Sequence, residues 1–390
     1  MNRRHIIVLS SLISICYSAA YTAISPSLLS VAGDLDVEVT TASLLFTANC
    51  TGFILFTLAA STFLTRVPRK MVLLCSLLGF AVSQLLFAVS GSFGMAGMAM
   101  LCMGGFQGIL QSCLMAVIIE VSGERKDFFV NLNMAFYGIG SLIGPIAVSF
   151  CLSHLLGWRG YYGILGLVTI VLAALFAPVS VTDPAAVPEQ ALSERRLQRN
   201  TWNLGIILIC VCLALECGAE VSSWGWMSTF LQEDLHFSVE KSGFAVGIFG
   251  AGLVAGRLLC GQLSKWIAPR RLIEILSFAS VVTVVVGSLV EQEILVLLFV
   301  VLMGFSFSSL WPFLVSFGSE RIIGQGDGML ARIIVSGSVG SAVIPYFLGL
   351  ASEHIGVRAT RMLPAVLFAV IWMVFRFVFP KTGKGIENKA

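Results

Sequence analysis

The second half of this 390-residue chain repeats the first at an offset of 200 positions, and the repeated residues are set in stretches that are otherwise almost wholly apolar. Gly140, Ser141, Pro145 and His154 return as Gly340, Ser341, Pro345 and His354, and Met103, Gly104 and Glu120 return as Met303, Gly304 and Glu320. Arg69 and Lys70 have their counterparts in Arg270 and Arg271, and Gly157 with Arg159 in Gly356 with Arg358, each within a residue of the same offset. One or two such matches arise by chance. An ordered series across half a chain, with glycine, proline and histidine among its members, implies a duplicated unit, and apolar stretches this long imply that the unit is built for lipid.

With 57% hydrophobic and only 12% charged residues, the chain has too little polar surface to cover a soluble globule of its length. A spanning helix needs roughly 20 apolar residues, and the segmentation predicts twelve spans. They run from His5 to Ala32, Val39 to Leu64, Met71 to Phe93, Gly94 to Ser122, Phe128 to His154, Tyr161 to Val181, Thr201 to Leu231, Val239 to Ser264, Arg271 to Val290, Ile294 to Ser319, Met329 to His354 and Arg361 to Phe379. The expected fold is an all-α integral membrane protein. Residues 1–182 form one six-helix bundle, 183–200 a polar linker, 201–380 a second bundle and 381–390 a short tail, with the bundles related by a pseudo-two-fold axis along the membrane normal.

Placing both termini in the cytoplasm leaves only Arg159, Lys241, Arg358 and Arg361 outside and Arg257 within a span, so nearly all of the 24 lysines and arginines fall inside. The outer loops carry acids instead: Asp34, Asp36, Glu38, Glu233, Asp234, Glu291 and Glu293. This predicts a multi-pass protein of the cell's inner, cytoplasmic membrane. The net charge of +3 follows from topology and gives no reason to invoke nucleic acid. The first span is too long for a cleaved leader and reads as a retained helix. The ten cysteines show no metal-ligand spacing and read as small packing residues, so neither metal nor other cofactor is expected. Asn49, Cys50 and Thr51 match a glycosylation sequon, but they lie mid-span.

An ionisable group inside a span costs at least about 2.5 to 3.5 kcal/mol and by default marks a transport path or coupling site. Glu216 and Glu220 stand near the middle of the seventh span, four residues apart on one helical face that Ser223, Trp224 and Met227 continue. Two carboxylates so close in a poorly hydrated place cannot both ionise cheaply. A proton or another cation shared there can be taken up and released as access alternates; the structural reading is that one of them only fixes packing. Gln107 and Gln111 share a face of the fourth span, and the repeat puts Phe307 and Trp311 at the matching positions of the tenth. Amides on one wall and aromatic rings on the other suit a sugar, whose hydroxyls need hydrogen-bond partners and whose C–H face packs on a ring. Tyr17, Tyr21, Asn49 and Ser306 add hydroxyl or amide groups, with helix-to-helix hydrogen bonding as the plain alternative.

Glu120 and Glu320 are repeat-equivalent and lie near the cytoplasmic ends of their spans, as do the basic corners Arg66 with Arg69 and Arg270 with Arg271. Such charges can hold the inner side shut in one state, or act only as topological anchors. Arg257 is placed with them as a gate residue, on a small-residue face formed by Gly252, Gly256 and Gly261.

Twelve spans in two similar halves joined by a basic linker resemble the major facilitator superfamily over almost the whole chain. The segment from Ser61 to Lys70 is similar to that superfamily's loop signature, keeping its basic residues but lacking its usual glycines and aspartate. Gly218 to Ser222, Gly256 to Gly261 and Gly304 to Pro312 resemble the bacterial fucose-permease and glucose/mannose proton symporter group. That resemblance implies alternating access, a small polar solute such as a hexose-like sugar, coupling to protons (or sodium), and Glu220 as the acid of the sugar path. The short loops and the lack of a catalytic or metal constellation give no reason to expect an enzyme, and the chain is expected to work as a monomer among membrane lipids. The rivals are a proton-coupled drug or metabolite antiporter and a lysolipid flippase of the same fold. Gly140 to Pro145 resembles the antiporter signature, but its trailing glycines and the fourth-span arginine are missing.

Overall fold

The computed structural model describes residues 3–63, 67–122, 126–154, 156–179, 203–264, 266–321 and 327–379. The linker and the tail lie outside them. The regular structure of the described residues is helical, in chain order α1 (Arg3–Thr22), α2 (Ile24–Asp34), α3 (Val39–Phe63), α4 (Arg69–Ala88), α5 (Phe93–Ser122), α6 (Lys126–Ser153) and α7 (Gly157–Phe176). The second half follows with α8 (Leu204–Glu233), α9 (Val239–Leu263), α10 (Pro269–Leu289), α11 (Glu293–Phe307), α12 (Leu310–Arg321), α13 (Asp327–Ile355), α14 (Val357–Thr360) and α15 (Leu363–Met373), with a π-helical turn over Val374–Val378. Among the described residues twelve segments are long and apolar enough to cross a membrane, and they coincide with the twelve expected. In lipid a backbone polar group has no water to turn to, which is why each span closes its own hydrogen bonds as a helix.

Three spans expected to be continuous are broken, each next to a proline. Pro26, Pro312 and Pro364 bring no N–H to the carbonyls of Thr22, Ser308 and Thr360, and the helix lapses beside each. At Ser308 the freed carbonyl accepts a hydrogen bond from Arg257 Nε of α9 at 3.1 Å.

The duplication is visible in how helices touch. Gly52 of α3 lies against the Leu101 carbonyl of α5, and Gly104 of α5 against the backbone of Asn49; 200 residues on, Gly252 meets the Val301 carbonyl and Gly304 the backbone of Phe249. A Cβ at any of the four would collide with backbone, so glycine sets the distance at both crossings. The turns repeat as well: Asp36 and His236 both take positive φ, 53° and 54°. Asp34 pairs with Arg159, whose other guanidinium nitrogen donates to the Ser90 carbonyl at 2.9 Å. In the second half Asp234 pairs with Arg361 at 3.0 Å, and Arg361 donates to the Ser288 carbonyl at 2.7 Å. The twin of Arg159 by contact is therefore Arg361, and Arg358, its twin by offset, pairs with Glu291 instead.

The two halves meet along α6 with α9 and α3 with α13, and α2 leans on α8. The Ser25 hydroxyl donates to the Trp224 carbonyl at 2.6 Å, and the Thr47 hydroxyl donates to the Ala342 carbonyl. Phe46 packs edge-on to Trp224 with centroids 5.7 Å apart, and Trp226 donates to the Pro345 carbonyl at 3.0 Å. The Ser25 and Thr47 hydrogen bonds between the halves come from α2 and from the first half of α3, toward the end of the molecule away from the start of α1. Exposed side chains such as Leu78, Phe150 and Leu167 face outward, as a lipid-facing surface requires.

Candidate functional site

Between the halves, α1, α6, α8 and α9 line a partly open cavity with about 650 Å³ of empty space. Glu220 borders it from α8 together with Trp224, one turn further along the same face. Tyr21 and Thr22 enter from α1, Tyr137 and Ser141 from α6, and Arg257 from α9, while Phe249, Val246 and Leu253 complete an apolar wall. Tyr21 stands edge-on to Trp224 with ring centroids 5.0 Å apart, and its hydroxyl lies 3.7 Å from Cys50 Sγ. An acid, a guanidinium, four hydroxyl-bearing side chains and an indole thus face one space from both halves.

Glu216 sits one turn before Glu220 and is wholly buried. One of its carboxyl oxygens accepts from the Cys217 thiol at 3.2 Å, and the other has no partner among the described residues. Within those residues no lysine or arginine comes within ion-pair distance of Glu216 or Glu220, although Arg257 borders the same cavity as Glu220. The pair expected from the four-residue spacing is therefore divided by environment: Glu220 opens to the cavity and Glu216 is enclosed beside it.

The other sequence candidates are placed as follows. Tyr17 is fully buried with its ring 5.7 Å from Tyr137, and its hydroxyl is unpartnered among the described residues. Asn49 donates to the Met100 carbonyl at 3.3 Å, tying α3 to α5 at the glycine crossing. Ser306 turns to Thr283 at 3.1 Å and to the Met303 carbonyl, away from the cavity. Gln107 is buried with an unpartnered amide oxygen, Gln111 is half-buried, and Trp311 is partly exposed beside Gly337; none of the three borders the cavity. Arg270 donates to the carbonyls of Phe375 at 2.6 Å and Phe379 at 2.8 Å, closing the last helix of its own half. Arg69 opens α4, and Arg271 stands exposed in the first turn of α10. Arg66 and the side chains of Glu120 and Glu320 lie outside the described residues.

Sequence reasoning missed Tyr137, Ser141 and Thr22. Tyr137 and Ser141 are four apart and continue the face of Gly140 and Gly144, which lie against the backbones of Ile15 and Ala19, so a polar aromatic on a face that must meet α1 was the available signal. The repeat hid it, because the position matching Tyr137 is Gly337.

The Major Facilitator Superfamily model matches residues 10–329, and the chain belongs to that superfamily. It is a multi-pass membrane transporter and not an enzyme. A curated relative, the protein TsgA homolog of Edwardsiella ictaluri, is 18% identical over 349 residues, covering 88% of this chain and 87% of its own. Among solved structures, the E. coli fucose:proton symporter FucP aligns with a TM-score of 0.62 at 15% identity, over 96% of this chain and 98% of its own. A D-xylose-proton symporter gives 0.79 at 13% over the same shares. A bacterial homologue of the human lysosomal transporter Spinster, inward-facing and unoccupied, gives 0.79 at 11%, over 96% and 97%. At these identities the likeness is one of fold.

Proposed function

We propose that the chain moves a small polar solute, a hexose-like sugar, by alternating access coupled to protons at Glu220 with Glu216 as its buried neighbour. One observation carries the reading: a mid-membrane carboxyl with no cation in ion-pair range among the described residues opens into a cavity that also holds Tyr21, Tyr137, Trp224 and Arg257. A protonated Glu220 can donate to a solute hydroxyl, whereas an ionised Glu220 draws Arg257 across the cavity and competes with the solute. The indole and phenol rings offer a surface for the C–H face of a sugar. That FucP is a fucose:proton symporter and the other neighbour a D-xylose-proton symporter supports the same reading.

In this proposal the two bundles, joined by the linker 183–200, rock about the cavity, and a single chain among lipids suffices. The termini lie on the cytoplasmic side of the inner membrane, so the end away from the start of α1 is the outer one. Gln107, Gln111 and Trp311 belong to the part of the path nearer the cytoplasm. Glu120, Glu320 and the basic corners are its gate.

A second reading, an amphipathic lipid-like solute, is favoured by one feature. A separate cavity of about 510 Å³ inside the second half has apolar walls that include Met227, Phe230 and Phe299, with Arg361 at its edge. Uptake of a radiolabelled panel of hexoses, lysolipid and lipophilic cations into proteoliposomes, with and without a pH gradient, separates the readings. Gradient-dependent accumulation of a hexose is expected; movement of lysolipid or lipophilic cations alone would reject the sugar reading.

A further inference from the structure

The end of the molecule at which α1 begins carries a basic cavity apart from the one that Glu220 borders. The first turn of α10 and the π-helical turn over Val374–Val378 border about 1440 Å³ of open space, with Arg270, Arg271 and Arg376 against a single acid, Glu274. Two of the arginines share that acid: Glu274 lies 3.7 Å from Arg270 and 3.3 Å from Arg376. Arg270 is further engaged by the carbonyls that end the last helix. Arg271 has no acidic partner among the described residues, and the Arg376 side chain is 42% exposed. Positive charge is therefore left over at the rim. The floor is apolar: Phe278 and Trp372 lie with ring centroids 5.7 Å apart, and Ile275 and Phe278 continue outward as lipid-facing surface, 49% and 52% exposed.

The duplication acts as an internal control on what this cluster is for. In the first half α4 also opens on two basic residues, yet the positions matching Glu274, Phe278, Trp372 and Arg376 are Leu74, Leu78, Leu172 and Phe176. The same helix pair thus folds in its twin without an acid, a tryptophan or the third cation. Packing does not require them.

We propose that this cavity holds the headgroup of an anionic phospholipid from the leaflet at that end. Arg271 and Arg376 pair with its phosphate, and the acyl chains lie over Ile275, Phe278 and Trp372. A dissolved anion would use the rim but gain nothing from an apolar floor that is continuous with the bilayer face, whereas a lipid uses both. Tryptophan and arginine at the end of a span are placed at headgroup depth. The inference rests on the chain spanning a membrane and is independent of which solute it carries.

The test uses the delipidated full chain, titrated with phosphatidylglycerol or with phosphatidylcholine of identical acyl chains, with bound lipid counted by native mass spectrometry. Phosphatidylglycerol is expected to bind in preference. Arg271→Ala and Arg376→Ala should each weaken it about fivefold, and the pair together should abolish the preference while phosphatidylcholine binding stays unchanged. Arg271→Ala breaks no hydrogen bond among the described residues, so it tests the site without unfolding it. Arg358→Ala, at the opposite end, removes the same charge and should leave binding unaltered. Equal binding of the two lipids would overturn the proposal, as would an unchanged preference in the double variant. Full displacement by excess inorganic phosphate would also overturn it, in favour of a soluble-anion site.

Discussion

The two clasps at the end away from the start of α1, Asp34 with Arg159 and Asp234 with Arg361, occupy equivalent places but differ in burial, and that difference sets their expected worth. Arg361 and Asp234 are 8% and 17% exposed, against 38% and 50% for Arg159 and Asp34. Removing one partner of a buried pair leaves the other charge stranded and costs about 3 to 5 kcal/mol, whereas an exposed pair contributes about 0.2 to 1 kcal/mol. Arg361 Nε has no partner among the described residues, so its pair is incompletely satisfied and belongs at the low end, about 3 kcal/mol. At roughly 2 to 4 °C per kcal/mol for units of this size, Arg361→Ala should lower the unfolding midpoint by about 6 to 12 °C. Arg159 also stacks over Trp158 at 4.3 Å, yet Arg159→Ala should lower it by about half as much or less. Buried free cysteines such as Cys113, Cys212 and Cys260 make a thiol-reactive fluorophore a direct reporter of that midpoint in detergent. Each clasp lies within its own half, so neither variant should change the rate at which cysteines introduced in the central cavity are labelled. Equal midpoint shifts for the two variants would refute the burial argument, and a changed labelling rate without a midpoint shift would make the clasps gates.

Trp224→Ala should weaken solute binding by about 1 to 3 kcal/mol, roughly ten- to hundred-fold, because it removes one wall of the cavity; equilibrium binding of the transported solute measures it. Gly252→Leu and Gly52→Leu should both abolish folded yield, because each side chain would enter the backbone of the facing helix, while Gly91→Leu, with open space around it, should not; recovery of monodisperse protein decides. Arg257→Leu should lose transport and also lower the unfolding midpoint, since it leaves the Ser308 carbonyl unsatisfied as well as emptying one side of the cavity. Neutralising Glu120 or Glu320 should speed labelling of cysteines introduced on the cytoplasmic side of the cavity if these acids close the inner gate; unchanged labelling with transport intact would leave them as anchors.

The helices were legible because lipid imposes a simple rule, that each crossing needs a long apolar run, and the chain obeys it twelve times. The duplication was legible where the crossing itself demands glycine, as at Gly104 and Gly304, since no other side chain fits against the facing backbone. It was not legible where geometry is kept by different residues. Asp36 and His236 share a positive φ without sharing a side chain, and Arg361 takes the place of Arg159 from a position displaced along the chain. The breaks at Pro26, Pro312 and Pro364 were missed for a related reason: hydropathy does not register a lost hydrogen bond, whereas Pro145 and Pro345 sit inside helices that stay continuous. At the candidate site, charge cost pointed to Glu220 and Glu216, and helical spacing to Trp224. Which helix faces meet across the halves depends on packing, so the partnership of α1, α6, α8 and α9 around Tyr137 and Arg257 was not readable from spacing, and Gln107, Gln111 and Trp311 were expected there instead.

In the proposed function, Glu220 is where solute movement is tied to protons. Its most direct test is concentrative uptake in proteoliposomes under an imposed pH gradient, set beside solute exchange at equilibrium in the same vesicles. Glu220→Gln keeps the size and hydrogen-bonding capacity of the side chain but cannot carry a titrating proton. This variant should lose gradient-driven accumulation while retaining part of the exchange, with Glu216→Gln impaired in the same sense. Full gradient-driven accumulation by both variants would contradict it.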